Sequence, residues 1–410
     1  MFGNSKTVVR GAYGLFYGFP EGLLYQRTDA MQPVDLYLQI NNPPVWDAPF
    51  AGYSGGDPFP RGHVSPSQFK NYTFLQPLAG GVLNPASHVE YTQAYNFTVE
   101  QDLGKGFAMN VGYVGNRAEH VMASRQFNPY VPATSATTIE TTRTYTGLGA
   151  VELADAYDWE KTNALEFNVT RRSHDLTMLA NVVWMKTIDI GSSGTEGNAG
   201  PSNPYNFNFY KGVADFDQAL RFTASANYPF PKFHVSNVLS QVVNGWQANA
   251  IVTSQGGLPF SITSGADNSK SGVGNDLGVY TGQPIARPAG APKTEWFNPA
   301  AFSQNPVPSA ANNWTQSFGN VPRNSLRGPA YEDTDISLFK DILSEKRIHG
   351  QFQAEAFNAW NHTNLANPTS AANSGTFGTI TATSSSTGTV NIPSPAGTQR
   401  VWQFAAKIIF

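Results

Sequence analysis

The sequence predicts an all-β chain, an antiparallel up-and-down β-barrel, here partial, that crosses a membrane with about ten long strands. Three observations carry that expectation. Strand-length segments alternate apolar and polar residues at period two, which puts one residue type on each face of a sheet. Short turns and long loops alternate strictly along the chain, so all short turns fall at one end of the sheet and all long loops at the other, as in transmembrane barrels. Charged residues make up only 13% of the 410 residues, against roughly 25% in typical soluble domains. No run approaches the roughly 18 apolar residues of a spanning helix, so any crossing must be made by strands.

The terminal stretch Arg400 to Phe410, RVWQFAAKIIF, shows the pattern in its plainest form. Trp402, Phe404, Ala406, Ile408 and Phe410 share one face; Gln403, Ala405 and Lys407 share the other. The first strand spans Lys6 to Tyr17, with Tyr13, Leu15 and Tyr17 on one side. A Pro- and Gly-rich loop follows to about Val89, with a short extended piece at Asp35 to Ile40. Tyr91 to Leu103 and Phe107 to Asn116 then form a hairpin about a tight turn at Gly104, Lys105 and Gly106. After a loop of about forty residues in this reading, Lys161 to Arg171 and Leu176 to Lys186 repeat the pattern. Gln218 to Tyr228 and Trp246 to Ser254 make the next pair, and Tyr331 to Lys340 and Arg347 to Phe357 the last. The longest loop runs from about Gln255 to Ala330. By the alternation, the last strand descends and places Phe410, like Met1, at the short-turn end.

Net charge is -3 and the pI is about 6.2, which leaves no nucleic-acid footprint. The absence of cysteine excludes disulfides, thiolate metal sites and cysteine nucleophiles. The stretch MFGNSKTVVRG has no basic region followed by an apolar one, so no secretory signal is read there and Met1 is not expected to be the true start of an exported protein.

Several strings, taken in order, resemble the C-terminal barrel portion of Oar-like TonB-dependent receptors, those with a carboxypeptidase-regulatory-like domain at the N-terminus. They are RGAYGLFYG (Arg10 to Gly18), YTQAYNFTVEQDLGKGFAMNVGYVGNRAEH (Tyr91 to His120), TNALEFNVTRR with VVWMKTID (Thr162 to Asp189), GWQANAIVTSQGGLPFSIT (Gly245 to Thr263), RNSLRGP with DISLFKD (Arg323 to Asp341), QAEAFNAWNHTN (Gln353 to Asn364) and the closing strand. The resemblance implies a protein of the Gram-negative outer membrane, in contact with its lipid, that takes up a bulky ligand with energy passed on by TonB. It also implies short periplasmic turns and long extracellular loops, about 22 strands and a plugged lumen. Residues 1–410 are therefore expected to be a C-terminal piece, with TonB reached only through an N-terminal part outside it.

Enzymatic signals are weak, and no catalytic, cofactor-binding or metal-binding residue is expected. Gly52, Ser54 and Gly56 fit G-x-S-x-G, but Pro49, Pro58 and Pro60 leave no strand and helix to present the serine. Asp267, Asn268 and Gly272 resemble a calcium loop, yet Gly278 stands where the bidentate Glu belongs, and loop polarity is the simpler reading. Glu152, Asp155, Asp158 and Glu160 read as a solvated acidic loop before a strand, and Gly191 to Gly197 as a hairpin tip. The histidines have no metal-site spacing. The loop aromatics Trp46, Tyr53, Trp296 and Trp314 would stack on a ligand such as a sugar, or pack the loops together; both remain open. Trp184, Tyr228, Trp246 and Trp402 sit near strand ends, as interfacial girdles do. Through the resemblance, Trp402, Phe404, Ile408 and Phe410 would form the signal read by the barrel assembly machinery. A passive porin-like channel and a soluble all-β carbohydrate-binding module are the alternatives. The first is disfavoured by scattered inward charges (Glu100, Glu166, Arg221, Glu355), the second by loops sorted by length.

Overall fold

The computed structural model describes residues 6–18, 32, 45–51, 57, 65–74, 78–173, 175–192, 201–274, 276–342, 349–384 and 399–409. Its strands in chain order are β1 (Thr7–Tyr17), β2 (Leu78–Leu83), β3 (Tyr91–Gly104), β4 (Phe107–Gln126), β5 (Leu148–Arg172), β6 (Thr177–Asp189), β7 (Gly212–Val213), β8 (Leu220–Pro229), β9 (Trp246–Gln255), β10 (Pro259–Phe260), β11 (Val279–Tyr280), β12 (Phe302–Ser303), β13 (Leu326–Arg327), β14 (Tyr331–Ile342), β15 (His349–Phe357) and β16 (Val401–Ile409). One sheet orders the long strands β1-β3-β4-β5-β6-β8-β9-β14-β15-β16, each antiparallel to the next; β2 adds to β5 in parallel and β7 to β6. All ten long strands read from the sequence are present. Among the described residues β1 and β16 form the two edges.

Register explains why the alternation is maintained over so many strands. Phe97, Tyr113, Leu165, Trp184 and Leu220 lie side by side across β3 to β8. Ala226, Ala250, Ile336, Ala356 and Trp402 continue the same face across β8 to β16. On the opposite face, Asn227, Asn249, Ser337, Glu355 and Gln403 form a polar row. A slip of one residue anywhere would exchange the faces. The apolar face is bare: Tyr13 is 67% and Phe404 65% exposed. In water such a surface would be unsustainable, whereas hydrocarbon is the solvent it fits.

The strands are also staggered. Directly paired positions run from Tyr13, six residues above the start of β1, through Tyr95, Gly115 and Asn163 to Lys186, nine above the start of β6. From the other edge they run from Phe404, five from the end of β16, through Ala354, Leu338 and Ala248 to Tyr228, one from the end of β8. That is about one residue per strand, roughly 3.3 Å of rise for about 4.8 Å of spacing, or a tilt of about 35°. Transmembrane barrels require such a tilt.

Short connections close one end. The β3–β4 turn holds Gly104, Lys105 and Gly106 at φ 77°, 54° and 80°. A Cβ on Gly106 would stand 2.3 Å from the Arg172 carbonyl oxygen, so only glycine fits. Between β8 and β9 a short helix, α1 (Asn237–Val243), fills the medium turn, and Asn244 caps it, its backbone N–H donating to the Ser240 carbonyl at 3.0 Å.

The long-loop end departs from the sequence reading in three ways. β4 and β5 extend well past Asn116 and Lys161, pairing as far as Gln126 and Glu152, so the forty-residue loop shrinks to the stretch between Phe127 and Gly147. Beyond the membrane no lipid imposes an apolar face, and the two-residue period fades while the pairing continues. Within the stretch read as loop before Val89, β2 pairs with β5, whereas Asp35 to Ile40 lies outside the described residues. Finally, the longest loop folds around a core of Phe260, Ile262, Phe297, Ala301, Phe302 and Val321, with two small β pairs, β10 with β13 and β11 with β12.

Candidate functional site: the polar face and its outer mouth

Two surfaces offer chemistry, the polar face of the sheet and the folded loops above it. Arg10 and Glu100 pair across β1 and β3 on that face. Asn181 donates to Asn168 at 2.6 Å, and Asn227 to Asn249 at 2.6 Å. These uncharged amide ladders keep the wall wet and supply donors and acceptors without a fixed charge. Glu166, Arg221 and Glu355 share the face, as the sequence indicated. Near the short turns a cavity of about 240 Å³ includes Leu179 and Ile251, apolar exceptions on a polar surface.

At the opposite end a cavity of about 170 Å³ is lined by Glu90, Thr92, Asn116, Asp158, Glu160 and Asp189, among others. Crossing takes about 9–11 residues of tilted strand. Counted from Arg172, Asp158 lies beyond that length. The acidic cluster is therefore not the solvated loop that the sequence implied. Asp158 is buried in β5 and accepts from the backbone N–H groups of Trp159 (2.7 Å), Ile190 (3.0 Å) and Gly191 (3.0 Å). Burial pushes its carboxyl up to about 6, against the pull of those hydrogen bonds. Asp155 accepts from Asn84 (2.8 Å) and Arg125 (3.1 Å), binding the loop before β3 to the β4–β5 extension. Strand extension carries all four acids into β5 and makes Asp155 and Asp158 structural, because pairing of β4 with β5 brings them into the wall.

Above this mouth sits an ionic clamp that the sequence reading did not single out. Arg323 is buried and donates from both terminal nitrogens to Asp189 (2.7 and 2.6 Å), and to Ser192 and the Ile190 carbonyl. Asp215 accepts from Asn324 at 2.5 Å and from Arg323 at 3.3 Å. Arg327 pairs with the fully buried Asp217, which accepts the Thr187 N–H at 2.6 Å. Two arginines of the RNSLRGP string thus fasten the longest loop to the outer ends of β6 and β8. The signal was present: two arginines four residues apart in the RNSLRGP string, with Asp189, Asp215 and Asp217 elsewhere. Sequence could not show which would meet.

The loop aromatics do not gather. Trp46 is 83% exposed before β2, and Tyr53 lies outside the described residues, as does the G-x-S-x-G string. Trp296 donates its indole N–H to the Arg327 carbonyl at 2.8 Å, while Trp314 is half-buried with φ 58° in the same loop. The neighbouring phenylalanines pack together, with Phe297 edge-on to Phe302 (5.5 Å) and Phe377 (5.2 Å). On the closing strand Trp402, Phe404 and Ile408 are exposed on the apolar face, and Phe410 lies outside the described residues. Trp184, Tyr228 and Trp402 stand on that face as a girdle requires, and Trp246 packs beneath the Lys340 ammonium. Among the described residues no group of three His, Cys, Asp or Glu side chains is arranged to hold a metal.

A family model described as an outer membrane beta barrel domain matches residues 1–403. No curated protein matches the sequence. Of solved structures, the outer membrane transporter YddB from Escherichia coli aligns over 100% of this chain at 10% identity with a TM-score of 0.50. The FrpB iron transporter from Neisseria meningitidis aligns over 80% at 13% identity (TM-score 0.38), and FpvA from P. aeruginosa, solved with a pyoverdine, over 78% at 9% (TM-score 0.36). The chain spans 39%, 32% and 27% of the lengths of these three proteins.

Proposed function

Because this chain belongs to the outer membrane beta barrel domain family and so resides in the outer membrane, we propose that it forms part of the wall and outer mouth of a TonB-dependent receptor of the Oar-like type, non-enzymatic and built to admit a bulky ligand. The single observation that supports this reading best is the register: ten tilted strands keep one mainly apolar face and one amide-rich face, with long folded loops at one end. Energised uptake would need a plug and a TonB-contacting segment. The test is to read the coding sequence upstream of Met1 in frame, and to record ion conductance of the purified chain in planar bilayers. Continuation through a plug and further alternating strands is expected; a nearby stop codon together with steady conductance would make the chain a passive channel.

Two finer assignments go with this reading. Trp402, Phe404, Ile408 and Phe410 form the strand that the barrel assembly machinery recognises. Deleting Phe410 from the full-length protein should lower its outer-membrane level several-fold; an unchanged level would refute the assignment. Trp46, Tyr53, Trp296 and Trp314 are the loop residues that would stack on a carbohydrate ligand, each ring covering one face of a sugar. Binding of an oligosaccharide panel to the Trp46→Ala and Trp296→Ala variants, compared with the unaltered protein, decides whether the ligand is a sugar.

A further inference from the structure

We propose that Asp267, Ser269, Ser271 and Asp276 form a calcium-binding site in the longest loop. In calcium loops, oxygen ligands come from positions 1, 3 and 5, with glycine at position 6 making the sharp turn. Asp267, Ser269, Ser271 and Gly272 occupy those positions, and Gly272 has φ 78°.

The side-chain oxygens converge as ligands of one cation would. The Ser269 hydroxyl lies 3.0 Å from Asp267 Oδ1 and 3.1 Å from the Ser271 hydroxyl. Asp267 meanwhile accepts the backbone N–H groups of Ser271 (3.1 Å) and Gly272 (2.7 Å), which fixes the turn around its carboxylate. Ser269 and Ser271 are fully buried. Two buried hydroxyls have been drawn up to the half-buried Asp267 carboxylate.

Sequence alone stopped at position 12, where a Glu is expected and Gly278 stands. The structure explains the glycine: a Cβ there would meet Ile262 Cγ2 at 2.7 Å, inside the loop's apolar core. The second carboxylate arrives two residues earlier. Asp276 is fully buried, its Oδ2 accepts from the Ser269 N–H at 2.5 Å and from Asn305 at 3.2 Å, and its Oδ1 has no partner. That bond ties Asp276 to the same turn that carries the two hydroxyls. A buried, unpartnered carboxylate oxygen is costly unless a cation or proton meets it. Neighbouring cations are committed elsewhere: Lys270 lies 3.8 Å from Glu140, and Arg143 donates to the Asn128 carbonyl and covers the Tyr130 ring. Calcium suits this donor set, which is all oxygen, carries two carboxylates and is irregular in geometry. Its effect would be to rigidify the turn that docks the loop onto the β4–β5 connection, where the Tyr130 N–H donates to the Ser271 carbonyl at 2.8 Å.

The experiment is calcium titration of the chelator-stripped full chain, folded in detergent, by calorimetry. One site is expected, with affinity in the 10⁻⁴–10⁻³ M range of extracellular modules. Asp267→Asn and Asp276→Asn should each weaken it at least tenfold, and Asp102→Asn, near the end of β3, should leave it unchanged. If either aspartate variant fails to fold, the Ser269→Ala/Ser271→Ala double variant decides, since it keeps both carboxylates. Severalfold weaker binding there upholds the site. Absence of calcium binding, or binding unaltered in these variants, overturns it.

Discussion

The ten-strand wall and the longest loop solve the burial problem in opposite ways. In the wall, large apolar side chains point outward and stay exposed, and the side chains turned the other way are amides, hydroxyls and scattered charges. In the loop, Ile262 and Val321 are fully buried and Phe297 nearly so, a conventional core of small size. The difference follows from solvent. The wall gains by giving its apolar face to lipid, while the loop, standing in water, must cover its own. Arg323 and Arg327 join the two regimes through ionic contacts to Asp189 and Asp217 and hydrogen bonds to neighbouring carbonyls.

That contrast can be broken at several points. The largest effect is expected at the joint. Arg323→Ala leaves Asp189 buried without its partner, a loss of about 3–5 kcal/mol. Protease should then cut between 256 and 330 while the heat-resistant migration of the wall on gels is retained; loss of both would mean that the two regions fold as one unit. Phe297→Ala should cost about 3–5 kcal/mol within the loop core and release the same cleavage sites with the clamp intact. Phe167→Arg, on the apolar face, should cost about 2–4 kcal/mol and lower the amount of folded protein in membranes, with no change in loop protection before unfolding. The same substitution at Asn168, on the amide face, should be tolerated, and equal damage at both positions would erase the distinction between the faces.

The smallest effect concerns pH. Asp158 holds its proton in the folded state up to about 6, while the unfolded chain releases it near 3.8. Between those values the native state binds more protons, so its stability should fall as pH rises, by about 1–3 kcal/mol, and level off above about 6. Urea unfolding between pH 4 and 7 should show this slope, and Asp158→Asn should flatten it. An unaltered slope would place the titration on another group at the mouth.

Legibility from sequence divides along the same line. Strands facing lipid were readable almost residue by residue, as β3, β9 and β16 illustrate, because a single solvent on one face imposes a strict two-residue period. The outer halves of β4 and β5 were missed, since pairing there continues without that solvent and the period lapses. Of the candidate site, the inward placement of Glu100, Glu166, Arg221 and Glu355 could be read from alternation. The clamp could not, because Arg323 meets Asp189 across more than a hundred residues, a distance over which no local pattern carries information. The calcium-like turn was visible only in its first half, and Asp276 completes it through folding of the loop rather than through spacing.

Composition and period by themselves thus determined a membrane wall of ten antiparallel strands, its inner and outer faces, and the end that bears the loops. They could do so because lipid acts on every strand in the same way, whatever its neighbours. Tertiary structure alone decided how the loops pack, which acids are buried and which arginines hold them, since each of those outcomes depends on side chains brought together from distant parts of the chain.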